Sequence, residues 1–366
     1  MWGRMGGRKG KDMKAWVLYG INDLRYGTVA EPELKEGEVL VAVKAAAVCG
    51  SDIPRIYRTG AYSYPLVPGH EFAGIVEKAG PGVADGWLGK RTGIFPLVPC
   101  GVCGPCQSRR YEMCRDYGYL GSRQDGGFAE YAAVPVRNLI ELPAGVTLQE
   151  AAMLEPMAVA VHAMRRARPM AGDRVVVCGL GTIGMLLVSF LLEAGIRDVL
   201  VIGNKEFQRQ AILKTGLEET CYCDSRAGDT EKWLMERTEG KGADVFFECV
   251  GINGTFSQAV NLTGPVGRVC LVGNPGSDMT LEREVYWKIL RNQLTVTGTW
   301  NSSFTHEADD DWHYVLERLE KGKISPLELV SHRFPLEDLD AGLHIMRDKT
   351  QDYIKIMAQI EDSAAG

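Results

Sequence analysis

The rhythm of apolar and polar positions changes along the chain. From Met13 to about Val48, short apolar runs, KAWVLYG and EVLVAVKAAAV, alternate with polar turns such as Glu36-Gly37. Short runs joined by tight turns predict antiparallel strands of a barrel-like domain. From about Arg166 to Thr297 the runs RVVVCG, DVLVIG, ADVFFECVG, GRVCLVGNP and QLTVTG are separated by stretches of helical period. Strand and helix in alternation predict a doubly wound parallel sheet. After Thr299 the chain turns polar through NSSFTHEADDDW, becomes amphipathic in DWHYVLERLEKGK, and ends in the strand-like YIKIMAQI, which is expected to return to the first domain. The predicted fold is α/β: a parallel-sheet domain over 166–298, inserted into a mainly antiparallel β barrel-like domain over 13–165 and 299–366. Residues 1–12 (MWGRMGGRKGKD), glycine-rich and basic, are expected to be a disordered extension.

The parallel domain opens on Val177-Cys178-Gly179-Leu180-Gly181-Thr182-Ile183-Gly184, with an apolar run before it and the apolar segment Met185 to Ala194 after it. Strand, tight turn and helix in that order let the backbone approach a pyrophosphate and aim free N–H groups at it. The glycine spacing alone would also suit an ordinary turn. Its context favours a dinucleotide, because the second run, Asp198 to Ile202, falls where such units place the strand that meets the adenosine ribose. That strand ends in Gly203-Asn204-Lys205 with no carboxylate to accept from the ribose, and Arg209 is close by. NADP is therefore favoured over NAD, the alternative being that Lys205 and Arg209 are ordinary solvated charges. Val250-Gly251 and Val272-Gly273 place small residues where the nicotinamide half would lie.

Cys100, Cys103, Cys106 and Cys114 place four thiolates in one short loop, sufficient to close a tetrahedron around a structural zinc. An iron–sulfur cluster is the runner-up. Cys49-Gly50-Ser51-Asp52 and Gly69-His70-Glu71 bring a thiol, a hydroxyl, an imidazole and carboxylates to strand ends. Taken alone, Cys49 reads as a buried thiol and His70 as a satisfied loop histidine. Together with a carboxylate they would make a three-ligand zinc site with an open fourth position. Glu155, at the mouth of a helix, can supply that ligand directly or through water, or can simply favour the helix dipole.

The remaining composition narrows the class. A net charge of -6 with no basic stripe argues against a nucleic-acid surface. No apolar run approaches a membrane span, and the N-terminus lacks the apolar core of an export signal. Ten cysteines without such a signal point to a reducing cytoplasm, where clustered thiols bind metal more often than they pair.

With GHE, CxxCxxCx7C, the EP helix start and GLGTIG in this order, the chain resembles the zinc-dependent medium-chain dehydrogenase/reductase family, and within it the sorbitol and polyol dehydrogenases, along nearly its whole length. The resemblance implies a GroES-like catalytic domain around the nucleotide domain. It implies that Cys49, His70 and Glu155 hold a catalytic zinc, that Glu71 can exchange onto it, that Ser51 takes the substrate proton, that Asp52 orients the imidazole, and that the four clustered cysteines hold a structural zinc. The implied activity is oxidation of a secondary hydroxyl of a polyol or polyol phosphate to a ketone, with NAD(P) as hydride acceptor. Other secondary alcohols or sugars remain as alternatives, as does a non-catalytic nucleotide-binding protein. Arg55, Tyr57, Arg123, Trp300 and Asn301 are candidates for the substrate, the two arginines through a phosphate or else through structural ion pairs. The resemblance also implies a homodimer or homotetramer, with its interface at the nucleotide domain's last strand near Val269 to Val272. Two departures stand out: Pro54 occupies the position of a proton-relaying histidine, and the ribose acid is missing.

Overall fold

The computed structural model describes residues 11–360. Most of the expected extension, residues 1–10, lies outside them, and β1 (Asp12–Gly20) already begins at Asp12. β1 pairs antiparallel with β2 (Asp23–Ala30). β3 (Glu38–Val48) carries the longest of the early apolar runs, and its Ala45, Ala46 and Ala47 are fully buried. Such small side chains leave room for neighbours on every side. β4 (Glu71–Ala79) and β8 (Tyr131–Pro135) both pair with β3. β5 (Arg91–Ile94) extends the sheet to β9 (Leu139–Glu141), while β6 (Leu97–Val98) and β7 (Gly118–Tyr119) pair apart from it.

The parallel sheet is built from β10 (Arg174–Cys178), β11 (Asp198–Gly203), β12 (Tyr222–Asp224), β13 (Ala243–Glu248), β14 (Thr263–Leu271) and β15 (Thr295–Gly298). Their spatial order is β12-β11-β10-β13-β14-β15, all parallel, with the reversal of order beside β10 where such sheets bind ligands. The apolar runs predict every strand except β12, whose three residues are too few to show a period. The expected interface strand needs correction. Val269 to Leu271 belong to β14, which is paired on both sides and has no edge to offer; the edge strands are β12 and β15, and β15 is the last strand of this sheet.

The chain closes with β16 (Val330–Pro335) and β17 (Lys355–Gln359), and β17 runs antiparallel to β3 as the return of YIKIMAQI requires. Two compact units result. One holds the described residues up to Gln107, Cys114–Glu155 and the chain from Val330; the other holds Ser108–Met113 and Pro156–Leu329. The expected boundaries at 165/166 and 298/299 therefore shift, the second of them far down the chain. The amphipathic helix Asp311–Glu320 stays with the parallel sheet because Tyr314 and Arg318 both donate to Glu193 at 3.2 Å, on the helix Thr182–Glu193 that follows β10. Among the described residues no helix is long and apolar enough to cross a membrane.

The three glycines after β10 have separate reasons. Gly179 turns the chain at φ +98°, and a Cβ on Gly184 would lie 1.9 Å from the Gly179 carbonyl oxygen, so the helix can press onto the turn only without a side chain there. Gly181, which precedes the helix, faces open space. Gly184→Ala is thus expected to cost about 1–3 kcal/mol in urea unfolding, the usual scale of overpacking, whereas Gly181→Ala leaves stability near wild type. Equal stabilities for the two variants would contradict this packing.

Candidate metal and dinucleotide sites

Cys49 follows the last residue of β3 and His70 precedes the first residue of β4, so the antiparallel pairing of Ala47 with Glu71 brings them together. Ligand atoms of Cys49, His70 and Glu71 all lie within 4.8 Å of one another. The CGSD turn is closed on itself: the Cys49 N–H donates to Asp52 Oδ2 at 3.0 Å, and the Ser51 hydroxyl donates to Cys49 Sγ at 3.3 Å. Asp52 is fully buried, with Arg55 at 2.6 Å and His70 Nδ1 at 3.3 Å, the latter a charge contact without good hydrogen-bond alignment. Burial alone would raise the Asp52 carboxyl, but His70, Arg55 and the Cys49 N–H outweigh it and hold it below the usual carboxylate range.

The backbone behind His70 is wrapped by the glycine-rich stretch YLGSRQDGGFAEY. A Cβ on Gly126 would lie 2.1 Å from the Gly69 carbonyl oxygen, and one on Gly121 would lie 2.4 Å from the Gly69 backbone. Asp125 adds a hydrogen bond from the Val67 N–H at 2.8 Å. That stretch is therefore a clamp on the imidazole's own strand entry.

Two carboxylates complete the cluster in different ways. Glu71 is held by Lys355 Nζ at 2.6 and 2.9 Å, and the same ammonium donates to the Val48 carbonyl at 3.1 Å. Both side chains are almost wholly inaccessible. Burial would strip the Lys355 proton, yet Glu71 foremost, with Cys49, holds its pKa above the ordinary value. Glu155 lies in the first turn of the helix Leu154–Ala167 and accepts from the Tyr119 hydroxyl at 3.1 Å. Burial, with Glu71 nearby, raises its carboxyl to about 7 although His70 and Lys355 pull the other way. Glu155 is not one of the three groups that share the 4.8 Å spacing. Sequence reading missed Lys355 and the role of Tyr119; the one available signal was a lysine inside an apolar closing strand.

The donor chemistry fits zinc in both places. Thiolate, imidazole and carboxylate oxygen are its usual ligands, and three of them leave a position open. In the cysteine loop, Sγ separations are 3.5 Å (Cys103–Cys106), 3.9 Å (Cys103–Cys114) and 4.0 Å (Cys100–Cys106). A tetrahedron with Zn–S near 2.3 Å has edges of about 3.8 Å, whereas a disulfide needs about 2.05 Å. Backbone N–H groups of Arg115 and Cys106 pull the Cys103 thiol down to about 6, toward the thiolate that a metal requires.

In the other unit, the open space at Gly181, beside the first N–H groups of the helix from Thr182, fits a pyrophosphate. Leu180 is buried beneath the turn, and Thr182 and Ile183 begin the helix. The buried Glu248 accepts from the Val250 and Gly251 N–H groups at 2.8 and 2.9 Å, and its backbone carbonyl accepts from those of Val272 and Gly273 at 2.8 Å. It thereby fixes the ends of β13 and β14, a role with no signal in the sequence. Asn204 is exposed after β11, and Lys205 precedes the helix Glu206–Leu213 with its ammonium over Phe207. Arg209 is committed to Glu206 and Glu219, which corrects its expected part in binding the cofactor. Arg226, just past β12, pairs with Asp224 at 2.8 Å.

The substrate candidates divide. Arg55 is spent on Asp52 and does not support the expected phosphate contact, while the ring of Tyr57 lies under Arg347. Trp300 is exposed in the dinucleotide-binding unit, and Asn301, at φ +57°, accepts from the Ser302 N–H. Arg123 holds its guanidinium over the rings of both Tyr62 and Tyr117. Lys355→Met is expected to cost about 3–5 kcal/mol in urea unfolding by stranding a buried Glu71 charge, and adding Glu71→Gln should recover most of it. No recovery in the double variant would show that the pair is not the unit described.

The family model of the alcohol dehydrogenase GroES-like domain matches residues 35–144, and that of the zinc-binding dehydrogenases matches residues 182–321. Galactitol 1-phosphate 5-dehydrogenase of Escherichia coli K12 is 33% identical over 84% of this chain and 88% of its own length. L-idonate 5-dehydrogenase of Vitis vinifera is 32% identical over 90% of this chain and 89% of its own. The crystal structure of galactitol-1-phosphate dehydrogenase from Escherichia coli superposes with a TM-score of 0.88 at 30% identity, covering 95% of this chain and all of the other.

Proposed function

We propose that this chain, which belongs to the zinc-binding alcohol dehydrogenase family with a GroES-like domain, oxidises a secondary hydroxyl of a polyol or polyol phosphate to a ketone. The observation that carries the reading is the convergence of Cys49, His70 and Glu71, with Glu155 beside them, where β3 ends and β4 begins. When bound, zinc would supply a Lewis acid that lowers the alcohol's pKa, and a nicotinamide dinucleotide would supply the hydride acceptor.

The chain's own groups do the rest. Cys49 and His70 hold the metal, with Glu155 as the further ligand and Glu71 as the carboxylate that can replace it. Asp52, itself held by Arg55, faces the imidazole's Nδ1 as the carboxylate that would orient a metal-bound histidine. The Ser51 hydroxyl, next to the thiolate and half-buried, receives the substrate proton and passes it to water, since Pro54 offers no imidazole for an outward relay. Cys100, Cys103, Cys106 and Cys114 hold a structural zinc. Gly179 to Gly184 cradle the pyrophosphate, and the ends of β13 and β14 border the nicotinamide half.

NADP over NAD is the cofactor preference this reading carries. It rests on the missing carboxylate after β11 and on Lys205, and not on Arg209 or Arg226, each of which is paired with carboxylates. A second copy is the proposed partner. The β15 edge and the exposed Tyr286, Trp287 and Leu290 of the helix Arg283–Arg291 offer unpaired backbone and apolar surface together, which a twofold-related copy can satisfy. Light scattering is expected to give a dimer or tetramer that Leu290→Glu dissociates; a monomeric wild type would overturn this assembly.

The decisive assay offers free and phosphorylated polyols with NADP and NAD to wild type, Cys49→Ala and Ser51→Ala. Wild type is expected to oxidise at least one polyol, with kcat/KM at least about tenfold higher for NADP. Cys49→Ala should lose turnover and one zinc, and Ser51→Ala should keep both zincs while kcat falls about 10²- to 10⁴-fold. Wild type inert toward every polyol would remove the reaction, and a preference for NAD would remove only the cofactor choice.

A further inference from the structure

One guanidinium of the metal-bearing unit is fixed in place and yet, among the described residues, pairs with no carboxylate. The guanidinium carbon of Arg123 lies 4.3 Å from the ring centroid of Tyr62 and 4.3 Å from that of Tyr117. One of its N–H groups donates to the Tyr117 carbonyl at 3.2 Å. Cation–π contact with the two rings holds the group in place, and one hydrogen bond uses only one of the guanidinium's five N–H donors, so a pair remains that can read an oxyanion bidentately. Tyr62 is 73% exposed, so the clamp opens to solvent on one side.

The clamp is linked to the metal cluster through aromatic contacts. Tyr117 meets Tyr119 edge to face at 6.3 Å, and Tyr119 meets the His70 ring at 5.7 Å while its hydroxyl bonds Glu155. Arg123 thus stands two rings outward from His70, at a remove suited to the far end of a chain-like substrate and not to the reacting carbon. Arg55, closer in, is neutralised by Asp52 and cannot serve that end.

We propose that Tyr62, Arg123 and Tyr117 form a subsite for a terminal oxyanion of the substrate, and that it selects a phosphorylated polyol over the free polyol. The inference rests on the dehydrogenase reading above and narrows its substrate class. A phosphate monoester and a terminal carboxylate share the chemistry the clamp reads, and the dianionic phosphate, with three acceptor oxygens, fits an uncompensated guanidinium better.

The test uses zinc-loaded, full-length protein with galactitol 1-phosphate, galactitol and galactonate as probes. Wild type is expected to favour the phosphate. In Arg123→Met the ratio of kcat/KM for galactitol 1-phosphate to that for galactitol should fall about 10- to 100-fold, the scale of losing charge-assisted hydrogen bonds, with the change mainly in KM. Arg123→Lys should restore part of it, and Tyr62→Leu, at an exposed position, should lower the ratio by less. An unchanged ratio in an Arg123→Met enzyme that keeps both zincs and melts as wild type does would overturn the proposal. So would a wild type that prefers galactitol or galactonate. Failure of the dehydrogenase reading looks different, since wild type would then oxidise none of the three. Calorimetric titration of galactitol 1-phosphate into wild type and Arg123→Met decides the clamp in that case, equal affinities overturning it.

Discussion

The metal-bearing unit depends on one buried ion pair, Lys355 with Glu71, placed where three neighbouring strands end. β17 supplies the ammonium, β4 the carboxylate and β3 the Val48 carbonyl that takes a further donor, and these strands are adjacent in the order β17-β3-β4. Two charges out of water at that depth gain little net stability, because desolvation offsets most of their attraction. An apolar pair of similar volume would fold as well. What the pair does secure is position: it fixes the carboxylate next to His70 and the strand end next to Cys49, and it sets the charge balance felt by Glu155.

Around that anchor the proposed ligands are held by short-range chemistry. Cys49 is set by its own CGSD turn, His70 by the glycine clamp behind it, and Glu155 by Tyr119. Each is oriented by contacts from the chain itself, the arrangement by which neighbouring groups set the direction of a metal ligand. The dinucleotide-binding unit follows the same logic: Gly184 lets the helix close on the turn, and Glu248 ties the ends of two strands. In both units glycine marks where backbone must approach backbone.

Features encoded within a short stretch were legible in the sequence. The cysteine loop, the glycine turn, the parallel strands and the family motifs all depend on spacing within one segment. Features that depend on the fold were not. Lys355 meets Glu71 across 284 residues, and no local pattern marks a lysine in an apolar strand as a partner for that acid. Arg209 looked available to a cofactor because Glu219, ten residues on, is brought back to it only by the fold. β12 is too short to show a period, and the polar stretch after Thr299 looked like a domain boundary because the docking of Tyr314 and Arg318 on Glu193 is a tertiary contact.

The claim on which all of this turns is that Cys49 and His70 share a metal ion with a carboxylate. Anomalous diffraction on either side of the zinc absorption edge, from crystals grown without chelator, tests it most directly. Two peaks per chain are expected: one among the four clustered thiolates, and one about 2.3 Å from Cys49 Sγ and about 2.0–2.1 Å from a His70 nitrogen, with Glu155 or Glu71 as the oxygen ligand. A single peak at the cysteine loop, with Cys49 and His70 bare, would contradict it.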